Sequence, residues 1–159
     1  MRKIVVFLIA IVLISCKHEQ SPTNNWSSTK QKDETGYPLE MAMRSGDVVG
    51  VHGQVFNLEK LEVFMLNVQK KKDSNVKIVQ YTIEGDPIFR ELDYEGGRIH
   101  IVIDNSADKF TGTGKGKSKG TCSQIKKETN REKAETRYFL DGCNGESVEV
   151  LSTYKKPAR

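Results

Sequence analysis

Along this chain the spacing of apolar residues changes character several times, and each change marks a predicted element. Ile4 to Ile14 form an unbroken apolar run behind Arg2 and Lys3. From Lys17 to Gly36 the chain is mostly Ser, Thr, Asn, Gln, Lys and Glu, with Trp26 as an isolated aromatic. Such a stretch cannot bury enough apolar surface to offset its ordering entropy, so it predicts a flexible tether. Pro38 to Ser45 predicts a short helix, with proline at its first position and Gly46 just past its end. Val48, Val49, Val51 and Val55 predict an extended segment, bent at Gly50 and Gly53.

The clearest helix follows. Leu58, Leu61, Phe64, Met65 and Val68 recur at helical spacing, with Asn57 as a candidate N-cap and Phe56–Leu61 as a candidate hydrophobic staple. Lys70, Lys71 and Lys72 close it, where cations suit the negative end of the helix dipole. The period then becomes two. Val76 to Glu84, Ile88 to Tyr94 and Ile99 to Asp104 predict three strands, separated by Gly85-Asp86-Pro87 and Glu95-Gly96-Gly97. Asp104 to Gly120 reads as a mobile polar loop. Cys122 to Lys127 and Thr136 to Leu140 read as a hairpin joined by the charged residues 128–135, with a last strand from Ser147 to Thr153.

The expected fold is α+β: one principal helix on an antiparallel sheet of about five or six strands, its stripe of Leu61, Phe64 and Val68 covering Ile78, Ile99 and Ile101. The expected organisation is a signal peptide (1–15), a flexible tether (16–37) and a single α+β domain (38–155).

Composition matters most at the N-terminus. A basic start, a short apolar segment and Leu13-Ile14-Ser15-Cys16 have the layout of a lipoprotein signal, in which Cys16 is lipidated and becomes the mature N-terminus. A retained transmembrane anchor is the competing reading. Its 11 residues would rise only about 16 Å against roughly 30 Å of hydrocarbon. A cleaved signal without lipid is the third. The lipoprotein reading makes the membrane a partner through Cys16 and places the chain on the extracytoplasmic face of the cell membrane. Loss of Arg2 and Lys3 leaves 23 basic residues against 21 acidic ones, well mixed, which is not the footprint of a nucleic-acid binder. Of three cysteines, Cys122 and Cys143 then remain as a pair. Outside the cytoplasm such a pair points to a disulfide, with a metal site as the weaker alternative, because CxxC spacing is lacking.

Candidate chemistry is sparse. Gly112 to Ser118 has three residues where a phosphate loop needs four before its GKS, and neither flank fits. Asp104, Ser106 and Asp108 open like a calcium loop, yet Lys109 and Lys115 stand where glycine and glutamate belong. His52 and His100 read as structural residues. Glu84 with Asp86, and Glu91 with Asp93, are paired acids, and an envelope hydrolase using such acids with a histidine is the alternative function. The favoured function is a non-catalytic binding or interaction module for an envelope protein or polymer, with no catalytic residue, metal or cofactor assigned. Its candidate binding residues are Tyr81, Glu84, Asp86 and Arg90, expected to be exposed together where Gly85 and Pro87 break the strand.

Asp47-Val48-Val49, His52-Gly53, Asn57-Leu58-Glu59-Lys60-Leu61 and the run from Tyr81 to Phe89, in this order and spacing, resemble a family of small bacillus-type lipoproteins catalogued as domain of unknown function 4362. The resemblance runs from about Asp47 to Cys143. It implies a Gram-positive envelope lipoprotein and supports the disulfide, and it brings no activity or catalytic residue.

Overall fold

A computed structural model describes residues 36–154. The signal, Cys16, His18 and Trp26 lie outside the described residues. In order, the elements are α1 (Leu39–Arg44), β1 (Val48–Val51), β2 (Gln54–Phe56), α2 (Leu58–Gln69), β3 (Ser74–Tyr81), β4 (Pro87–Glu95), β5 (Arg98–Asp104), β6 (Lys117–Cys122), β7 (Gln124–Asn130), β8 (Glu135–Cys143) and β9 (Glu146–Tyr154). The molecule is mostly β. Strands β2-β1-β3-β4-β5-β6 form one sheet and β7-β8-β9 a second.

The expected single antiparallel sheet is therefore corrected twice. β1 and β3 run parallel, with Val49 beside Val79 and Val51 beside Tyr81. The segment around Gly50 and Gly53 is a hairpin rather than one bent strand, and α2 then carries the chain back to lay β3 along β1. The second correction is the three-stranded sheet, in which the charged connection 128–135 narrows to a four-residue turn at 131–134 between β7 and β8.

The stripe on α2 packs as its spacing predicts. Leu61, Phe64 and Val68 share one cluster with Ile78, Ile99 and Ile101, closed from the far side by Tyr138, Leu140, Val150 and Leu151 of the second sheet. The opposite face of β1 and β3 carries another cluster, where Val49, Val79 and Tyr81 meet Ala42 of α1, with Tyr37, Phe56 and Phe89 against them. Burial on both faces explains the consecutive pair Val48-Val49, both fully buried. It also separates Phe56 from Leu61, so the predicted staple does not form.

Asn57 does not cap α2 with its side chain. Its backbone is left-handed (φ 54°), and its Nδ2 donates to the Met43 carbonyl at 3.0 Å and the Asp47 carbonyl at 2.8 Å, stitching α1 and the approach to β1 onto the start of α2. Lys70, Lys71 and Lys72 follow the helix rather than closing its last turn. The expected mobile loop is shorter than predicted, because β6 begins at Lys117 and pairs with β5 through Cys122. Gly120 suits that pairing: a Cβ there would stand 3.3 Å from Ile101 Cγ2. A disulfide joins Cys122, ending β6, to Cys143, ending β8, and so ties the two sheets together.

Candidate functional site

The turn between β3 and β4 is built by short-range hydrogen bonds. The Thr82 amide donates to the Asp86 carbonyl at 2.9 Å, and the Asp86 amide donates to Thr82 Oγ1 at 3.1 Å. Gly85, at φ 90°, supplies the positive dihedral that this closure needs. The result turns Asp86 inward, leaving it 2 % exposed. One carboxylate oxygen accepts the Lys109 amide at 2.9 Å, and Lys109 Nζ stands 4.0 Å from the other. Asp86 thus braces the β3–β4 turn against the loop between β5 and β6.

The four residues predicted to be exposed together are not. Tyr81 is 8 % exposed, and its hydroxyl donates to the Tyr37 carbonyl at 2.8 Å. Arg90 pairs with Ile78, placing it on the opposite face of the sheet from Tyr81, where its Nη1 donates to Gln80 Oε1 at 3.1 Å. Burial pushes the Arg90 guanidinium below its ordinary value, against the charge of Glu149, and among the described residues its buried Nε has no hydrogen-bond partner. Only Glu84 is exposed, at the tip of the turn. The corner is a structural joint, and the strand pattern concealed this because the break at Gly85 and Pro87 reads alike for a brace and for an open site.

The β5–β6 loop is equally well held. Asp104 Oδ1 accepts the Ser106 amide at 3.0 Å and the Ser106 hydroxyl at 2.6 Å. Asp108 accepts the Phe110 amide at 2.8 Å and the Thr111 hydroxyl. Asn105 donates to the Gly114 carbonyl at 3.1 Å and accepts the Gly116 amide at 2.7 Å. These bonds, chiefly from Ser106 and from Thr111 respectively, hold the Asp104 and Asp108 carboxyls below the usual carboxylate range. The calcium-like spacing therefore serves Asx-type turns. Among the described residues there is no group of three or more His, Cys, Asp or Glu able to hold a metal ion. Gly112–Gly114 forms a single 3-10 turn, followed by Lys115, Gly116 and β6, so the phosphate-loop flanks are absent at this position.

Two clusters gave little sequence signal. Tyr37, placed by composition in the tether, donates its hydroxyl to Asp47 and accepts Lys77 Nζ at 3.3 Å. Lys77 lies 3.7 Å from Asp47 and over the rings of Tyr37 and Phe89, at 4.5 and 5.0 Å from their centroids. An aromatic directly before Pro38 was the only hint. In the second cluster Glu62 accepts Lys127 Nζ at 2.7 Å and the Tyr138 hydroxyl at 2.8 Å. Burial pushes the Glu62 carboxyl up, and these two hydrogen bonds outweigh it.

The histidines are separated. His52 sits in the β1–β2 turn at φ 47°, at the same end of the sheet as the Asp86 joint. His100 pairs with Asp93, four residues along β4 from Phe89, and its Nδ1 stands 3.2 Å from Thr121 Oγ1. The Asp93–His100–Thr121 row lies on the sheet face that α1 leaves uncovered, with Asp93 and His100 exposed. A histidine there is solvated, where an acid–base group gains little. No helix among the described residues is long and apolar enough to cross a membrane.

Comparison with known proteins places the chain without assigning it an activity. No curated protein and no solved structure matches it. The family model described as Domain of unknown function (DUF4362) matches residues 45–138, from just before β1 to the fourth residue of β8. That match covers more than half of the 159 residues, and the chain belongs to the DUF4362 family.

Proposed function

We propose that this protein is an extracytoplasmic lipoprotein of the bacillus type, held on the cell membrane by a lipid on Cys16, and that its domain is a non-catalytic interaction module at a Gram-positive envelope. The observation that carries the reading is Leu13-Ile14-Ser15-Cys16 behind a basic start and an apolar run too short to span a bilayer. The Cys122–Cys143 disulfide supports an oxidising compartment. The proposed organisation is signal 1–15, tether 16–37 and domain 38–155. The interaction reading draws on the joint itself: Asp86, Asp104 and Asp108 spend their oxygens on the protein's own amides and hydroxyls, which leaves them shaping a surface.

Cys16→Ser tests the anchor. The variant is expected to leave the membrane fraction for the medium, or to stay unprocessed, while intact-mass analysis of the wild type finds diacylglycerol on Cys16. A mature wild-type chain without that lipid overturns the reading. Capture of an envelope protein or polymer tests the module. Glu84→Ala is the informative variant for it, since it changes the tip of the turn and leaves the Asp86 brace in place.

A further inference from the structure

Among the described large hydrophobic residues the three most exposed are Ile83 (83 %), Phe110 (72 %) and Tyr154 (55 %). They come from distant parts of the chain, yet strand register gathers them at one end of the larger sheet. Val51 pairs with Tyr81, so the β1–β2 turn and the β3–β4 turn share that end, and Phe89 pairs with Asp104, which brings the β5–β6 loop beside them. Ile83 tips the β3–β4 turn and Phe110 the β5–β6 loop. Tyr154 ends β9, where its amide donates to the Gly53 carbonyl at 3.1 Å and its ring packs on the β1–β2 turn. With strands about 4.8 Å apart, neighbouring tips are spaced roughly 10 Å along the sheet end and the outer two roughly 20 Å.

Rigid loops hold these side chains out. The Asp86 brace and the Asp104, Asn105 and Asp108 bonds fix the backbone on both sides of Phe110. The charges around them are sorted by direction. Asp86 and Asp108 are buried, and Asp104 is largely covered and paired with Lys117 at 3.1 Å. Lys109 and Lys117 project with side chains 52 % and 67 % exposed and Lys115 is exposed, while the acids on the rim are Glu84 and Glu135, the latter accepting the Tyr154 hydroxyl at 3.1 Å. Rigid apolar tips in a basic surround match the chemistry of an anionic bilayer surface, where apolar groups enter the acyl boundary and cations meet phosphate.

The N-terminal side of the domain meets the same end. The Tyr37 carbonyl accepts the hydroxyl of Tyr81, the last residue of β3. Only 20 residues, 17–36, stand between Cys16 and Tyr37, a maximal reach of about 70 Å, so a lipid on Cys16 would keep this end near the bilayer. We propose that this end of the sheet docks on an anionic phospholipid surface, with Ile83, Phe110 and Tyr154 entering the interface and Lys109, Lys115 and Lys117 meeting the headgroup phosphates. The proposal rests on the lipoprotein reading only for that reach.

The test places an indole at the tip. In the full chain, Trp26→Phe removes the single native tryptophan and Phe110→Trp introduces a reporter, with Ile83→Trp as a second reporter should the first disturb the loop. Added phosphatidylglycerol vesicles are expected to shift the emission to the blue, brominated acyl chains to quench it, and phosphatidylcholine vesicles to do neither. Ile83→Ser combined with Phe110→Ser is expected to weaken binding of the chain to the anionic vesicles roughly tenfold. Unchanged emission in a chain that sediments with the vesicles overturns the proposal. Equal shifts with both lipids overturn it, as does a shift that depends on protein concentration without lipid, which would mean a second copy covers the tips. The readout is local, so it separates from Cys16: a lipidated chain with a water-exposed indole sinks this proposal alone, and an inserted indole on an unlipidated chain sinks only the anchor.

Discussion

Asn57 shows how one side chain can take a role its neighbours hide. As an N-cap it would be replaceable by glycine at a cost of a few tenths of a kcal/mol. Here it bonds two carbonyls from the α1–β1 segment in a left-handed backbone, so Asn57→Gly is expected to cost about 1–3 kcal/mol in chemical denaturation, through the lost bonds alone. Asn57→Ala is expected to cost about 1 kcal/mol more, because alanine resists that dihedral. Asp104 and Asp108 give the corresponding pH signature. Their folded carboxyls titrate below the unfolded value of about 3.9, so their contribution is complete above that pH and fades as acid takes them through their lower folded values. The amide resonances of Ser106 and Phe110 are expected to move in that acid window, and Asp108→Asn to abolish the transition at Phe110 while Ser106 still titrates.

At the scale of elements, legibility follows burial. The α2 stripe and the alternation of Ile99, Ile101 and Ile103 were readable because one side of each element meets the core and the other meets water. Val48-Val49 has no period, since both faces of β1 are covered, and a four-residue strand paired parallel with β3 leaves no turn signal between the two. β6 is harder still. Lys117-Ser118-Lys119-Gly120 has no apolar position, and its extended form comes from register with β5 at the sheet edge. The expected joint exposure of Tyr81, Glu84, Asp86 and Arg90 failed for a related reason. Composition marks where a strand breaks, whereas the direction of Asp86 depends on Lys109, 23 residues away in sequence. Exposure of Phe110 was likewise invisible, because a phenylalanine in a polar loop reads equally as an anchor into the core.

In the molecule as a whole, the disulfide is a covalent cross-link between the two sheets, added to the main chain that passes from β6 to β7 through Ser123. It closes a separation of 21 residues, and Cys122→Ala with Cys143→Ala is expected to destabilise by about 3 kcal/mol, lowering the thermal midpoint by roughly 10 °C. Calorimetry of the oxidised wild type and the double variant reads this directly. The Tyr37 cluster has a different bearing, on mechanics. β1 is locked between β2 and β3 by backbone ladders, whereas the segment before it is held by side chains: Tyr37 with its contacts to Asp47, Lys77 and Tyr81, the two Asn57 bonds to Met43 and Asp47, and the small face of α1. Tension applied from the N-terminal side therefore meets its weakest fastening first. Under such a pull Tyr37 and α1 are expected to detach first, uncovering Val49, Val79 and Phe89 while both sheets keep their strands, which single-molecule stretching of the domain would read as a short extension before global unfolding.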